Sequence, residues 1–289
     1  DVFHVIGFVG FPQQQRAWSV RDQVLLAIEM RVACGDDAFA LAPLIHDYKQ
    51  NENLIAEKES GQQPITTVLA LVDQLQQAYC NEVRAAVQNE ERKRHVTTSI
   101  GIAIAHHYTS LSSVRRIAKE AEELAKKHYG RNALVVIILR RSGEQTRVGC
   151  RWQYLNEHNG KQVLLQPLLL FATFYELFIN ASLSPHCVYM LLEEAPTLIA
   201  LEARAQQSEI SRILHHQQNG HLSKQYIQSL AQQVTELALA MDNDAQRPQR
   251  PSQQLPFAIE LHAEERRHGL IEIIGWLLVL LFLARKENI

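Results

Sequence analysis

Apolar residues change their spacing several times along this chain of 289 residues, and each change marks an element. Val2 to Val9 is β-like, and Ser19 stands where it caps a helix running to about Glu29. Two short apolar runs, Met30 to Ala33 and Ala38 to Leu44, flank Cys34-Gly35-Asp36-Asp37, a spacing that predicts a β-hairpin with the tetrapeptide at its turn. A polar loop from Lys49 to Gln63 ends at Pro64, which opens a long amphipathic helix to about Arg92 with Leu69, Val72, Leu75, Tyr79 and Val83 on one stripe. His95 to Ala105 alternates as a strand, Leu111 to His128 has helical periodicity, and the β-branched run Ala133 to Leu139 reads as a strand buried on both faces. The order β-α-β-β-α-β, with one more helix and strand, predicts an α+β fold built on a ferredoxin-like palm, the middle hairpin beside the first strand.

Beyond about Gly160 the pattern becomes leucine-rich and helical. Helices are expected near Val163 to Ile179, Pro185 to Glu193, Leu198 to His215 and Leu222 to Met241. A Pro- and Gln-rich loop, Asp242 to Pro256, precedes a last helix that Gly269 and Gly275 are placed to break. The division that follows is a palm over residues 1–155, including the helical segment 64–92, and an α-helical bundle domain over 156–289.

Composition narrows the class. The chain is 46% hydrophobic and 21% charged, as a soluble globular protein is. Four widely separated cysteines, Cys34, Cys80, Cys150 and Cys187, make neither a Cys-x-x-Cys pair nor a disulfide framework, which fits a reducing cytoplasm. There is no signal peptide, and the most apolar run, Ile273 to Ala284, is shorter than the roughly 20 residues a membrane span needs, so it reads as a buried helix. The sequence opens on Asp1 rather than methionine and reads as a chain trimmed at its start. The net charge of −2 hides an asymmetry: Arg92 to Arg151 holds thirteen lysines and arginines against four acids, Glu120, Glu122, Glu123 and Glu144. Such a block reads either as a surface for a phosphate-rich ligand or nucleic acid, or as a solvated helix face plus a basic hairpin.

Gly35 followed by two carboxylates gives a tight turn, room for a phosphate to approach backbone, and hard oxygen ligands for Mg²⁺. The same tetrapeptide is also ordinary turn chemistry. Two further segments discriminate. Val96 to Ala103, with Ser99-Ile100-Gly101 at its centre, resembles the strand beside the active site of GGDEF-type nucleotide cyclases. Ala125-Lys126-Lys127-His128-Tyr129-Gly130-Arg131-Asn132 is similar to that superfamily's Ala-Lys-x-x-Gly-Arg-Asn signature with one extra residue. The second aspartate of the turn separates the subfamilies: diguanylate cyclases carry Gly-Gly-Asp/Glu-Glu-Phe, whereas Gly-Gly-Asp-Asp is carried by the second palm of the large subunit of type III CRISPR-Cas effector complexes. That family's strand ends in a His-His or similar pair, here His106-His107, and a C-terminal helical domain follows its palm.

The resemblance implies synthesis of cyclic oligoadenylate from ATP, switched on by target RNA. Asp36 and Asp37 are then the catalytic residues and the ligands of Mg²⁺ or Mn²⁺. Gly35, Ser99, Lys126 and Asn132 bind nucleotide, and the partners are guide CRISPR RNA, target RNA and the other effector subunits, with no membrane. Three departures point the other way. Cys34 replaces the family's first glycine, no carboxylate lies between Phe3 and Phe11, and nothing corresponds to the HD nuclease domain and first palm of larger members. A second reading is therefore a structural subunit of the same complex whose cyclase has decayed; a third is a stand-alone diguanylate cyclase. His46-Asp47 reads as coincidence, as do His215, His216 and His221, which lack an acidic partner at metal-site spacing.

Overall fold

The computed structural model describes residues 3–10, 17–19, 31–33, 72–74, 76, 77, 81, 97–106, 109–140, 142–158, 161–220, 222–244 and 268–287. Six strands form one mixed sheet: β1 (Phe3–Gly10), β2 (Ala17–Ser19), β3 (Arg31–Ala33), β4 (Ser99–His106), β5 (Ala133–Leu139) and β6 (Gln145–Arg151), in the order β2-β3-β1-β4-β5-β6. Helix α1 (Leu111–Lys127) connects β4 to its parallel neighbour β5. A two-stranded hairpin, β7 (Tyr154–His158) and β8 (Lys161–Leu165), leads into helices α2 (Pro167–Ile179), α3 (His186–Glu193), α4 (Ala195–Ala200), α5 (Ala203–His216), α6 (Lys224–Asp242) and α7 (Gly269–Glu287). This mixed architecture is compatible with a palm followed by a helical region.

The strand leading to the Asp pair, β3, lies beside β1, and the pairing is parallel; β4 flanks β1 antiparallel on its other side. The hairpin turn at Cys34 to Asp37 lies outside the described residues, as do the helix expected after Ser19, the Lys49–Gln63 loop, His46-Asp47 and most of the helix expected from Pro64. Ser19 itself ends β2. Of the Pro64 helix, residues 72–74, 76, 77 and 81 are helical, with Val72 buried.

The strand alternation of β4 sorts its side chains between two cores. Ile100, Ile102 and Ile104 join Leu134, Val136, Ile138, Val148 and Cys150 in a core continuous with helices α2 to α7, while Ala103 and Ala105 join Ala133, Val135 and Ile137 beneath α1. That is why β5 is apolar at every position: it is covered on both faces. The boundary between residues 155 and 156 falls inside β7, and the core does not stop there.

Helix α1 is specified locally. Ser110 caps it, its hydroxyl oxygen accepting from the Ser113 N–H at 3.3 Å. Val114, Ile117, Ala118, Ala121 and Ala125 recur at helical spacing on the buried face, and the small residues let the helix come close to the sheet. Closest is the approach at Gly101, where a Cβ would overlap the Glu122 backbone nitrogen and the Ala121 carbonyl carbon.

The helical region departs from its sequence pattern in three places. Lys161–Leu165 is a strand rather than the start of a helix, because Pro167 removes an N–H that a helix begun at Val163 needs and instead opens α2. The helix expected from Leu198 to His215 is two helices, broken where Leu201 turns extended (ψ 149°), and the Gln206 amide donates to the Leu198 carbonyl at 3.0 Å across the break. Gly269 begins α7 and Gly275 lies inside it, so neither breaks the helix. Gly269 allows close packing instead, since a Cβ there would overlap the Ala238 carbonyl oxygen of α6.

Helix α7 is the centre of this region. Its residues from Gly269 to Leu281 are buried, and Trp276 stacks on Phe171 of α2 at 4.9 Å between ring centroids. Full enclosure by protein explains an apolar character on all sides, and no helix among the described residues is long and apolar enough to cross a membrane. Burial pushes the Cys187 thiol in α3 up to about 12, so it remains protonated and unreactive.

Replacing Gly101 by alanine should therefore drive a methyl group into helix backbone. The expected loss is about 1–3 kcal/mol in urea denaturation; an unchanged midpoint would contradict the close packing assigned to this position.

Candidate functional site

Register brings the ends of several strands into one row. Ala33 pairs with Gly10, and Gly10 with Ser99. Ile100 opposite Leu134 sets Ser99 level with Ala133, which pairs with Arg151. At a strand spacing of about 4.8 Å, Ala33 and Ala133 are three steps apart, roughly 14 Å. Along this edge β1, β3 and β6 end while β4 and β5 begin. Ala33 is the residue before Cys34-Gly35-Asp36-Asp37, and the Gly130-Arg131-Asn132 segment enters the same edge from α1. Asp36, Asp37 and Gly35 themselves lie outside the described residues.

Ser99 belongs to the face of β4 that carries Gly101, towards α1. The helix runs back to the edge where β4 begins, so Lys126, one turn beyond Glu122, occupies the same face and end as Ser99. Ser99 is buried, 2% exposed, so its hydroxyl is accessible only if its cover gives way. Lys126 forms an ion pair with Glu122 on the preceding turn and keeps its side chain one-third exposed.

The segment after α1 is conformationally unusual. Gly130, Arg131 and Asn132 have φ of 70°, 67° and 51°, three successive left-handed residues. Glycine adopts this readily and asparagine tolerates it, but arginine pays about 1–2 kcal/mol. The shape is held from several sides. The Arg131 N–H donates to the Ala125 carbonyl at 3.1 Å, and the Asn132 carbonyl accepts from the Trp152 N–H at 3.2 Å. The Trp152 indole N–H donates to the Thr98 carbonyl at 2.8 Å, so one residue ties the start of β4 to the start of β5.

The four acids of the basic block each pair with one of its thirteen basic residues, and Arg92, Lys93, Arg94 and Arg141 lie outside the described residues. Glu122 pairs with Lys126, Glu123 with Lys127, Glu144 with Arg140 and Glu120 with Arg147, while Arg151 reaches Asp244 at 2.9 Å. Arg116, Lys119 and Arg131 are exposed. The solvated-face reading thus accounts for the paired residues of the block.

His106, at the far end of β4, is seven residues along the strand from Ser99, about 23 Å, so it does not belong to this edge. His107 and His221 lie outside the described residues. His215 and His216 end α5, and no group of three or more His, Cys, Asp or Glu side chains capable of holding a metal occurs among the described residues. Trp152, Tyr129 and Glu272 also support the edge; the sequence pattern takes in Tyr129 only as part of the Ala125 to Asn132 signature and marks neither Trp152 nor Glu272.

Residues 30–135 match the family model of Cas10/Cmr2, second palm domain. The match runs from the entrance of β3 into β5 and contains Gly35, Asp36, Asp37, Ser99, Lys126 and Asn132. It covers little more than a third of the chain and supports a Cas10-type large subunit of a type III CRISPR system. No curated protein matches the chain.

Left-handed backbone at Arg131 makes a prediction about substitution. Arg131→Gly should leave thermal stability unchanged or slightly raised, whereas Arg131→Val should lower it by about 1–2 kcal/mol, because a β-branched residue is least tolerant of positive φ. Equal melting curves for the two variants would contradict the conformation.

Proposed function

We propose that this chain is the palm-bearing subunit of a type III CRISPR effector complex and joins ATP into cyclic oligoadenylate when the complex holds target RNA. The observation that carries the reading is the strand row: the strand leading to the Asp pair ends level with Ser99 and with the start of β5, inside the segment that matches the second palm.

Asp36 and Asp37 would hold Mg²⁺ or Mn²⁺. Two adjacent carboxylates are hard oxygen donors of the kind such an ion takes. When bound, the ion lowers the pKa of a ribose 3′-hydroxyl and neutralises charge on the attacked α-phosphate. Gly35 leaves room for the triphosphate against backbone. Lys126 supplies a mobile point charge for the terminal phosphates by leaving Glu122, and Ser99 and Asn132 offer hydrogen bonds to sugar or base edge.

A second reading keeps the complex and removes the chemistry. Ser99 is buried and Lys126 is already paired, and Cys34 stands where the family has glycine. A subunit with those features serves as a platform that contacts the guide and target RNA by shape and charge.

Incubation of the assembled complex with ATP, Mg²⁺ and target RNA separates the two. Synthesis should appear with the wild-type chain and fall by about 100-fold or more in Asp36→Ala or Asp37→Ala. A complete, RNA-bound assembly that makes no product would overturn the cyclase reading and favour the platform.

A further inference from the structure

Glu272 is 1% exposed and is the one charged residue between Gly269 and Ala284 in the apolar helix α7. Burying a carboxylate in such surroundings is costly unless it is engaged. Its Oε1 accepts from the Tyr129 hydroxyl at 2.9 Å, a buried contact across 143 residues of sequence. Tyr129 immediately precedes the three left-handed residues, and its ring is seated over Gly149 of β6, where any Cβ would overlap it. The far side of the same edge is tied to the same region: Arg151 pairs with Asp244, just beyond α6. Helices α6 and α7 are in turn joined head to tail. The Asp242 carboxylate accepts from the Gly269 N–H at 2.9 Å and lies 3.0 Å from the His268 Nε2, while His268 Nδ1 accepts from the Leu270 N–H at 3.2 Å. The junction of these helices is thus a bracket that grips the edge at both Tyr129 and Arg151.

We infer that Glu272 is a positioning residue, which acts through Tyr129 to hold Gly130-Arg131-Asn132 in its left-handed shape and so couples the C-terminal helices to the nucleotide edge. A strained segment persists only when its surroundings fix it, and the Tyr129 hydroxyl is the anchor next to it. The inference rests on the cyclase reading for the purpose of the loop, but the coupling itself is independent of it. A partner that shifts α6 against α7 then alters the site through these contacts, with no ligand of its own near the edge.

Amide hydrogen exchange on the full chain tests this with Tyr129→Phe, which removes only the hydroxyl, and with Glu272→Leu and Glu272→Gln. Tyr129→Phe and Glu272→Leu should speed exchange over residues 129–132 by about tenfold, the loss of one hydrogen bond. Exchange in β5 and α6 should stay at the wild-type rate, and Glu272→Gln, whose amide oxygen still accepts, should behave as wild type. Unchanged exchange at 129–132, or equal acceleration throughout β5 and α6, overturns the inference, the second because it makes Glu272 merely structural. Titration of the same proteins with Mg-ATP should show weaker binding in the two loosened variants. If the wild-type chain binds no nucleotide, the site reading fails, while the exchange rates still decide the coupling.

Discussion

One register governs the arrangement: Ile100 opposite Leu134 in the parallel pair β4 and β5. Both strands are buried on both faces, so neither can slide without cost. A shift of one residue would turn the isoleucines of β4 towards α1, where alanine and glycine now leave room for helix backbone, and would empty the larger core on the other side. The same register sets Ser99 level with Ala133, and so brings the Gly130-Arg131-Asn132 segment to the end of the sheet at which β3 stops. The position of the candidate site is therefore a consequence of core packing.

The two cores divide the labour. Beneath α1, Gly101, Ala103 and Ala105 of β4 meet the helix alanines Ala118, Ala121 and Ala125, which allows a close approach and fixes where the helix ends, and hence where Lys126 and the left-handed segment emerge. On the opposite face the sheet and helices α2 to α7 share one apolar mass, with α7 at its centre. Three polar contacts among the described residues, Tyr129 to Glu272, Arg151 to Asp244 and Trp152 to Thr98, converge from it on the site edge. Buried polar contacts of this kind specify geometry, since breaking one orphans a donor or acceptor away from water.

Local signals made the outline readable. The alternation of β4, the capped amphipathic α1 and the β-branched β5 depend on neighbours in sequence, and their bounds follow from it to within a few residues. Lys126 and Asn132 likewise lie in a segment marked by a short local signature. What eluded the sequence depends on distance along the chain. The β7–β8 hairpin offers a run of apolar residues that a helix could also use, and Pro167 decides between them. The break at Leu201 is stabilised by Gln206, a polar side chain with nothing local to mark it. Trp152 and Tyr129 look like ordinary core aromatics until Thr98 and Glu272 are placed beside them. Propensity alone makes the two glycines of α7 helix breakers, but at Gly269 the deciding factor is contact with another helix. His106 and Ser99 stand at opposite ends of the eight-residue strand β4, so membership of one motif does not bring them together in space.

Paramagnetic broadening by Mn²⁺ in the presence of ATP tests most directly whether this edge is where a nucleotide and its cation are held. In the full chain the backbone amides of Gly10, Ser99 and Asn132 should broaden, while those of Ala105, Leu139 and Gln145, about 20 Å away at the opposite end of the strands, should stay sharp, and Asp36→Ala with Asp37→Ala should abolish the effect. Sharp signals at Ser99 and Asn132 with the ion and ATP present, or equal broadening at both ends of the sheet, would contradict the account.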